Sequence, residues 1–117
     1  MALLTVTQDV RGSAVVVSVT GEVDSNSVAI LQPHLDAAIE TADGHRAKLL
    51  IVELSRVTYF GSAGLNAVLE CYEKGLAAGV SVRLVAANPE VVRPIEVTGL
   101  DKILIPYANV ADAAEDE

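Results

Sequence analysis

The sequence predicts an α/β fold: a single domain with a mixed, mostly parallel sheet, helices packed against it, and an N-terminal β-hairpin. Three observations carry this expectation. Short Val-, Ile- and Leu-rich runs alternate with segments whose apolar residues recur at helical spacing. The first two runs are separated only by a turn, whereas the later ones are separated by helices, which imposes parallel pairing. About half of the 117 residues are apolar, and almost all of these are aliphatic, with no Trp, one Phe and three Tyr. That is core material for a sheet of branched residues covered by Ala- and Leu-rich helices, and it suffices without disulfides or metals.

Each element has its own signal. Leu3–Thr7 is short and β-branched, Asp9–Ser13 carries a turn signal around Gly12, and Ala14–Thr20 is a second strand. Gly21-Glu22-Val23-Asp24 leads into the cap-rich Ser25-Asn26-Ser27. Val28, Leu31, Leu35, Ala38 and Ala42, with Ile39 beside them, form a helical stripe that Pro33 is expected to kink or delay. Asp43-Gly44-His45-Arg46 closes that helix. Leu49–Leu54 is an apolar run suited to a central strand buried on both faces.

A loop from Ser55 to Gly61 follows, then a helix from Ser62 to Ala78 with the stripe Leu65, Val68, Leu69, Tyr72 and Leu76, ended by Gly79. Val80–Val85 is a strand. Asn88-Pro89 reads as N-cap and first helical residue of a third helix that stops at Gly99, with Pro94 as an interior irregularity. Ile103-Leu104-Ile105 is a last strand, and Asn109 to Glu115 suit a final helical turn or two. The domain is placed at 1–110 and an acidic tail at 111–117, fraying into solvent from Asp112.

Charge and composition exclude several function classes. The net charge of −8 repels nucleic acid and anionic membranes, and the scarcity of aromatics argues against base stacking. A single cysteine, Cys71, precludes an internal disulfide, nothing at the N-terminus resembles a signal peptide, and no apolar run approaches the roughly 18–20 residues of a membrane span. A reducing cytoplasm is the expected compartment. His34 and His45 have no companion ligands, so no metal or cofactor is expected. Cys71 is expected to be a partly buried, inert thiol on a helix flank. Arg56 and Lys102 are read as surface charges. Tyr59-Phe60 fits either an exposed partner anchor or a lock of the loop onto the core.

The informative stretch runs from Glu53 to Leu65, from the carboxyl end of the central strand into the second helix, the edge where ligands and partners dock in open α/β sheets. Ser62 stands at or near the helix start, and Gly61 and Gly64 reduce crowding around it. Unpaired amides and the positive end of the helix dipole favour an anion there. A phosphate on Ser62 would thus be tolerated by the fold while adding roughly two negative charges to a docking surface. Taken alone, a Ser in this place is more often only a cap.

This segment resembles the signature of STAS domains, the fold of bacterial anti-sigma factor antagonists: Asp-Leu-Ser, one residue, Val, two residues, a hydrophobic residue, then Asp-Ser-Ser/Thr-Gly-Leu. The matching positions are Leu54, Ser55, Val57, Phe60, Ser62, Gly64 and Leu65. Thr20–Asp24, Ala78-Gly79-Val80 and Val97–Ile103 extend the likeness, in order, over nearly the whole chain.

The resemblance implies a partner switch in transcription regulation and stress response. The unphosphorylated protein binds an anti-sigma factor, itself a serine protein kinase, and so frees a sigma factor. Phosphorylation of Ser62 ends that complex, and a metal-dependent serine phosphatase restores it. By the same resemblance Asp24 lies beside the acceptor serine, and Ser25, Gly61, Ala63, Gly64, Leu65 and Asn66 line the docking face. Two positions depart from the signature: Gly61 replaces the Asp before the acceptor, and Ala63 replaces the following Ser/Thr.

Two other classes compete. A non-phosphorylated STAS scaffold, or an interaction module of a sensor or transporter system, has the same fold, and Gly61 and Ala63 favour it. A small enzyme or phosphoryl receiver needs an acidic cluster at the strand ends, a Walker loop or a Gly-x-Ser-x-Gly elbow, and the sequence has none of these. The expectation is therefore a binding protein and not an enzyme.

Overall fold

The computed structural model describes residues 4–115 in the order β1 (Thr5–Arg11), β2 (Ala14–Val23), α1 (Val28–Asp43), β3 (Leu49–Phe60), α2 (Ser62–Ala78), β4 (Ser81–Val85), α3 (Pro89–Val97), β5 (Pro106–Tyr107) and α4 (Val110–Glu115), with a 3-10 turn at Leu100–Lys102 before β5. The five strands lie side by side in sequence order; β1 pairs antiparallel with β2, and every later pair is parallel. Hairpin, mixed sheet and crossover helices all match the predicted fold class. Among the described residues no helix is long and apolar enough to cross a membrane.

Alternation decides what each face of the sheet buries. Val15, Val17 and Val19 of β2, Leu50, Val52 and Leu54 of β3, and Val82 and Leu84 of β4 point one way, into a core closed by α1, α2 and α3. Each fully buried aliphatic side chain there contributes about 1.5–3 kcal/mol. Ala14, Val16, Leu49, Ile51 and Val85 point the other way and are covered by α4 through Ala113 and Val110. Arg83 Nη1 donates to the Ala113 carbonyl at 2.6 Å and fastens α4 to β4. The tail expected to fray is therefore helical through Glu115, because Ala113 finds an apolar seat on the sheet; Asp116 and Glu117 lie outside the described residues.

Several boundaries differ from expectation. Leu3 lies outside the described residues, and β1 continues to Arg11 because its pairing with β2 persists to the turn. Pro33 neither delays nor interrupts α1: the Ile30 and Leu31 amides already bond the Ser27 carbonyl at 2.8 and 3.3 Å, and Pro33 faces solvent. The last strand is Pro106–Tyr107 rather than Ile103–Ile105, of which only Leu104 is buried.

α2 buries a different stripe from the one predicted. Leu65 and Val68 are inside, but the stripe continues through Cys71 and Gly75 while Leu76 is exposed. Gly75 allows this. A Cβ there would stand 2.6 Å from Val82 Cγ2 and 2.9 Å from the Val80 carbonyl oxygen, so the helix lies almost flush against β4. Cys71 is accordingly in the core and not on a flank. Burial, followed by the charges of Asp36 and Glu70, pushes its thiol up to about 12.

Candidate functional site

The site is built on a two-strand extension of the sheet. β4 accompanies β3 only as far as Glu53; beyond it β3 runs on with β2 alone, from Thr20↔Arg56 to Val23↔Phe60. The segment read as a loop is thus strand. Two bulges, between Ser18 and Thr20 and between Gly21 and Glu22 of β2, each add a residue to β3. They break the alternation by which a strand is recognised, yet still turn Val57 and Phe60 into the core. Asn88 holds the extension in place, with Nδ2 donating to the Leu54 carbonyl at 3.1 Å and the Val57 carbonyl at 2.8 Å. Asn88 is the N-cap of α3 and Pro89 its first residue, as the sequence predicts, but the Asn88 side chain makes no capping bond and binds β3 instead.

The two strand ends deliver two turns side by side. Val23 faces Phe60, and the Gly61 amide donates to the Val23 carbonyl at 3.1 Å, so Asp24 and Ser62 each follow directly on a joined pair. Asp24 Oδ1 accepts from the amides of Asn26 and Ser27 at 2.9 and 2.8 Å, and Ser27 Oγ accepts from the Asp24 amide and donates to the Glu22 carbonyl. The Ser27 amide, then that of Asn26, hold the Asp24 carboxyl below its ordinary value of 3.8.

A depressed carboxyl stabilises the fold above its unfolded pKa, and this contribution is lost as the pH falls through the folded value. Carbon-detected titration is expected to place Asp24 below 3.8 in the wild type, with the turn amides of Asn26 and Ser27 shifting along the same curve. An ordinary Asp24 titration would mean that the turn does not form in solution.

The acceptor candidate is open to solvent. Gly61 is the N-cap of α2 and Ser62 its first residue, exposed, with a hydroxyl that makes no hydrogen bond among the described residues. The Leu65 amide is the first to bond within the helix, to Gly61 O at 3.1 Å, which leaves the amides of Ser62, Ala63 and Gly64 pointing outward at the positive end of the dipole.

The other candidate residues divide. Ser25 and Asn66 are exposed, and Gly61 and Ala63 are half-buried. Gly64 and Leu65 are buried, which corrects their expected place on the docking face. A Cβ on Gly64 would stand 2.8 Å from Phe60 Cε1 and 2.9 Å from Val23 Cγ1; this glycine seats α2 on the strand ends from beneath.

Two grooves flank Ser62. One, of about 450 Å³, runs between α1 and α2 past Val28, Gln32, Ala63, Asn66 and Glu73. The other, of about 580 Å³, lies between Tyr59-Phe60 and α3, lined by Arg93, Pro94 and Val97. Phe60 is buried and locks the segment onto the core, while Tyr59 is 52% exposed, with Val97 across the groove 79% exposed. The Tyr59 ring leans over Gly61. Its hydroxyl lies 2.9 Å from where a Gly61 Cβ would be, so a side chain at 61 and the present seat of the ring exclude each other. Tyr59, Ser27 and Asn88 are the contributors that sequence reasoning undervalued, since Ser-x-Ser and Asn-Pro carry the same letters whether they cap a helix or bind a strand.

Among the described residues no group of three or more His, Cys, Asp or Glu side chains could hold a metal. The model of the STAS domain family matches residues 5–113. The anti-sigma-F factor antagonist RsfB of Mycobacterium tuberculosis is 32% identical over 110 residues, which cover 94% of this chain and 86% of that protein. The crystal structure of an anti-sigma factor antagonist from Mycobacterium paratuberculosis superposes with a TM-score of 0.85 at 32% identity, covering 96% of this chain and 92% of the other. The Bacillus cell fate determinant SpoIIAA in its phosphorylated form shares the fold, with a TM-score of 0.67 at 19% identity and 97% of each chain covered.

Proposed function

The chain belongs to the STAS domain family, and from that premise we propose that it is an anti-sigma factor antagonist. It binds an anti-sigma factor through the edge formed by the Asp24 turn and the start of α2, and it is switched off by phosphorylation of Ser62. The observation that carries this reading is the exposed, unbonded Ser62 hydroxyl at the first position of α2, beside the Asp24 turn. The family's partner chemistry supports a serine kinase as the anti-sigma factor and a phosphatase as its opponent. Both act on the antagonist, which contributes a surface and an acceptor rather than catalysis. A kinase brings its own base, so the absence of a carboxylate at Gly61 does not prevent transfer.

The expected result is a gain of one phosphate by the wild type on incubation with the cognate anti-sigma kinase, ATP and Mg²⁺, followed by intact mass. Ser62→Ala gains none and still binds. One observation favours a second reading: Tyr59 seated over Gly61 gives the docking edge a phenol and an apolar groove in place of a carboxylate. Binding without phosphate gain would make the chain a constitutive antagonist or scaffold, and absence of both would sink the antagonist reading.

A further inference from the structure

The sheet face opposite α1–α3 is only partly covered by α4. Toward the carboxyl ends of β2 and β3 it is polar: Thr7, Ser18 and Glu53 lie in one cross-strand row, and Thr20 and Arg56 follow in the next. The first bulge of β3 puts Arg56 there. With unbroken alternation after Glu53, Ser55 would have come onto this face and Arg56 would have turned toward the core. Instead the Glu53 carboxylate accepts from the Ser55 amide and hydroxyl at 2.8 and 2.6 Å, and Arg56 emerges beside Thr20.

Arg11 of β1 reaches the same place, and the six side chains line a recess of about 330 Å³. Two of the eight basic side chains of a chain of net charge −8 thus converge on one small polar cavity. Arg11 gives Nε to Asp9 at 3.5 Å, while Arg56 forms no ion pair among the described residues.

We propose that this cavity binds a small phosphate monoester that carries hydroxyl groups. Two guanidinium forks suit the several oxygens of a phosphate better than a single lysine point charge would. The hydroxyls of Thr7, Ser18 and Thr20 both donate and accept. Glu53 has a second carboxylate oxygen free to accept from a ligand hydroxyl, and its charge disfavours a bare polyanion. The volume lies at the lower end of small-molecule cavities, which fits a sugar phosphate. The cavity lies on the opposite face of β2 and β3 from α2, so its occupancy does not depend on the antagonist reading.

The test is an amide NMR titration of the full chain with ribose 5-phosphate at fixed ionic strength, with ribose and sulfate run in parallel. Saturating shifts are expected at Thr7, Ser18, Thr20 and Arg56. Affinity is expected to fall about tenfold in Arg56→Gln and again in Arg11→Gln, with the rest of the spectrum unchanged. Equal affinity for sulfate would mean an adventitious ion only. That result, an absence of saturation, or shifts indifferent to both substitutions would overturn the proposal.

Discussion

Ser62→Asp is expected to weaken binding to the anti-sigma partner by about 2–4 kcal/mol, roughly thirtyfold to several hundredfold, while leaving the fold intact. The two effects separate because they act through different neighbours. Within the chain, a carboxylate at the first position of α2 meets the unpaired amides of Ser62, Ala63 and Gly64, and the dipole stabilises it by about 0.3–1 kcal/mol. Across the proposed interface, the same charge would have to be desolvated where the wild type presents a neutral hydroxyl. Titration calorimetry with the partner, paired with thermal unfolding of the free protein, reads both. Lost affinity with an unchanged or slightly raised Tm is the expected pair, and equal affinity for wild type and Ser62→Asp would remove the electrostatic switch from the antagonist reading.

Gly75→Ala is expected to destabilise the fold by about 1–3 kcal/mol, although alanine is the better helix former by about 1 kcal/mol. The added methyl meets Val82 Cγ2 at 2.6 Å and the Val80 carbonyl oxygen at 2.9 Å. Val82 can rotate, but the carbonyl belongs to the backbone entering β4 and moves only if α2 and the sheet separate. The Val80 amide also donates to the Gly75 carbonyl at 2.7 Å, so the helix end and the strand start are fixed from both sides. Denaturant unfolding measures the loss, and a Gly75→Ala variant as stable as wild type would show that α2 does not pack so closely in solution.

What was legible in the sequence depended on whether a pattern was written in side chains alone. The hairpin, the apolar run of Leu49–Leu54, the order of crossovers and the place of Ser62 at the head of α2 all follow from local periodicity, and the structure has them. The extension of β3 to Phe60 was hidden, because two bulges shift its inward residues to Val57 and Phe60 and no two-residue alternation survives. Gly75 was invisible as a core position: hydrophobic counting passes over a glycine and chooses Leu76 beside it, whereas close approach to β4 selects the residue with no side chain. β5 has two residues and exists only because β4 offers them hydrogen bonds, a tertiary fact without local trace. The residues expected at the docking face divided on the same principle. Motif likeness named Gly64 and Leu65 with the others, but only three-dimensional packing reveals that they support the edge from inside.

Cys71 gives the chain one more property. The residue is 1% exposed and burial pushes its thiol up to about 12, so almost no thiolate exists at neutral pH and the closed core shields it from bulky oxidants and disulfide partners. Since this is the chain's only cysteine, the folded protein offers no accessible thiol for a disulfide or for glutathionylation. A signal carried by thiol chemistry therefore has no point of entry on the folded chain, and would have to be read by another molecule.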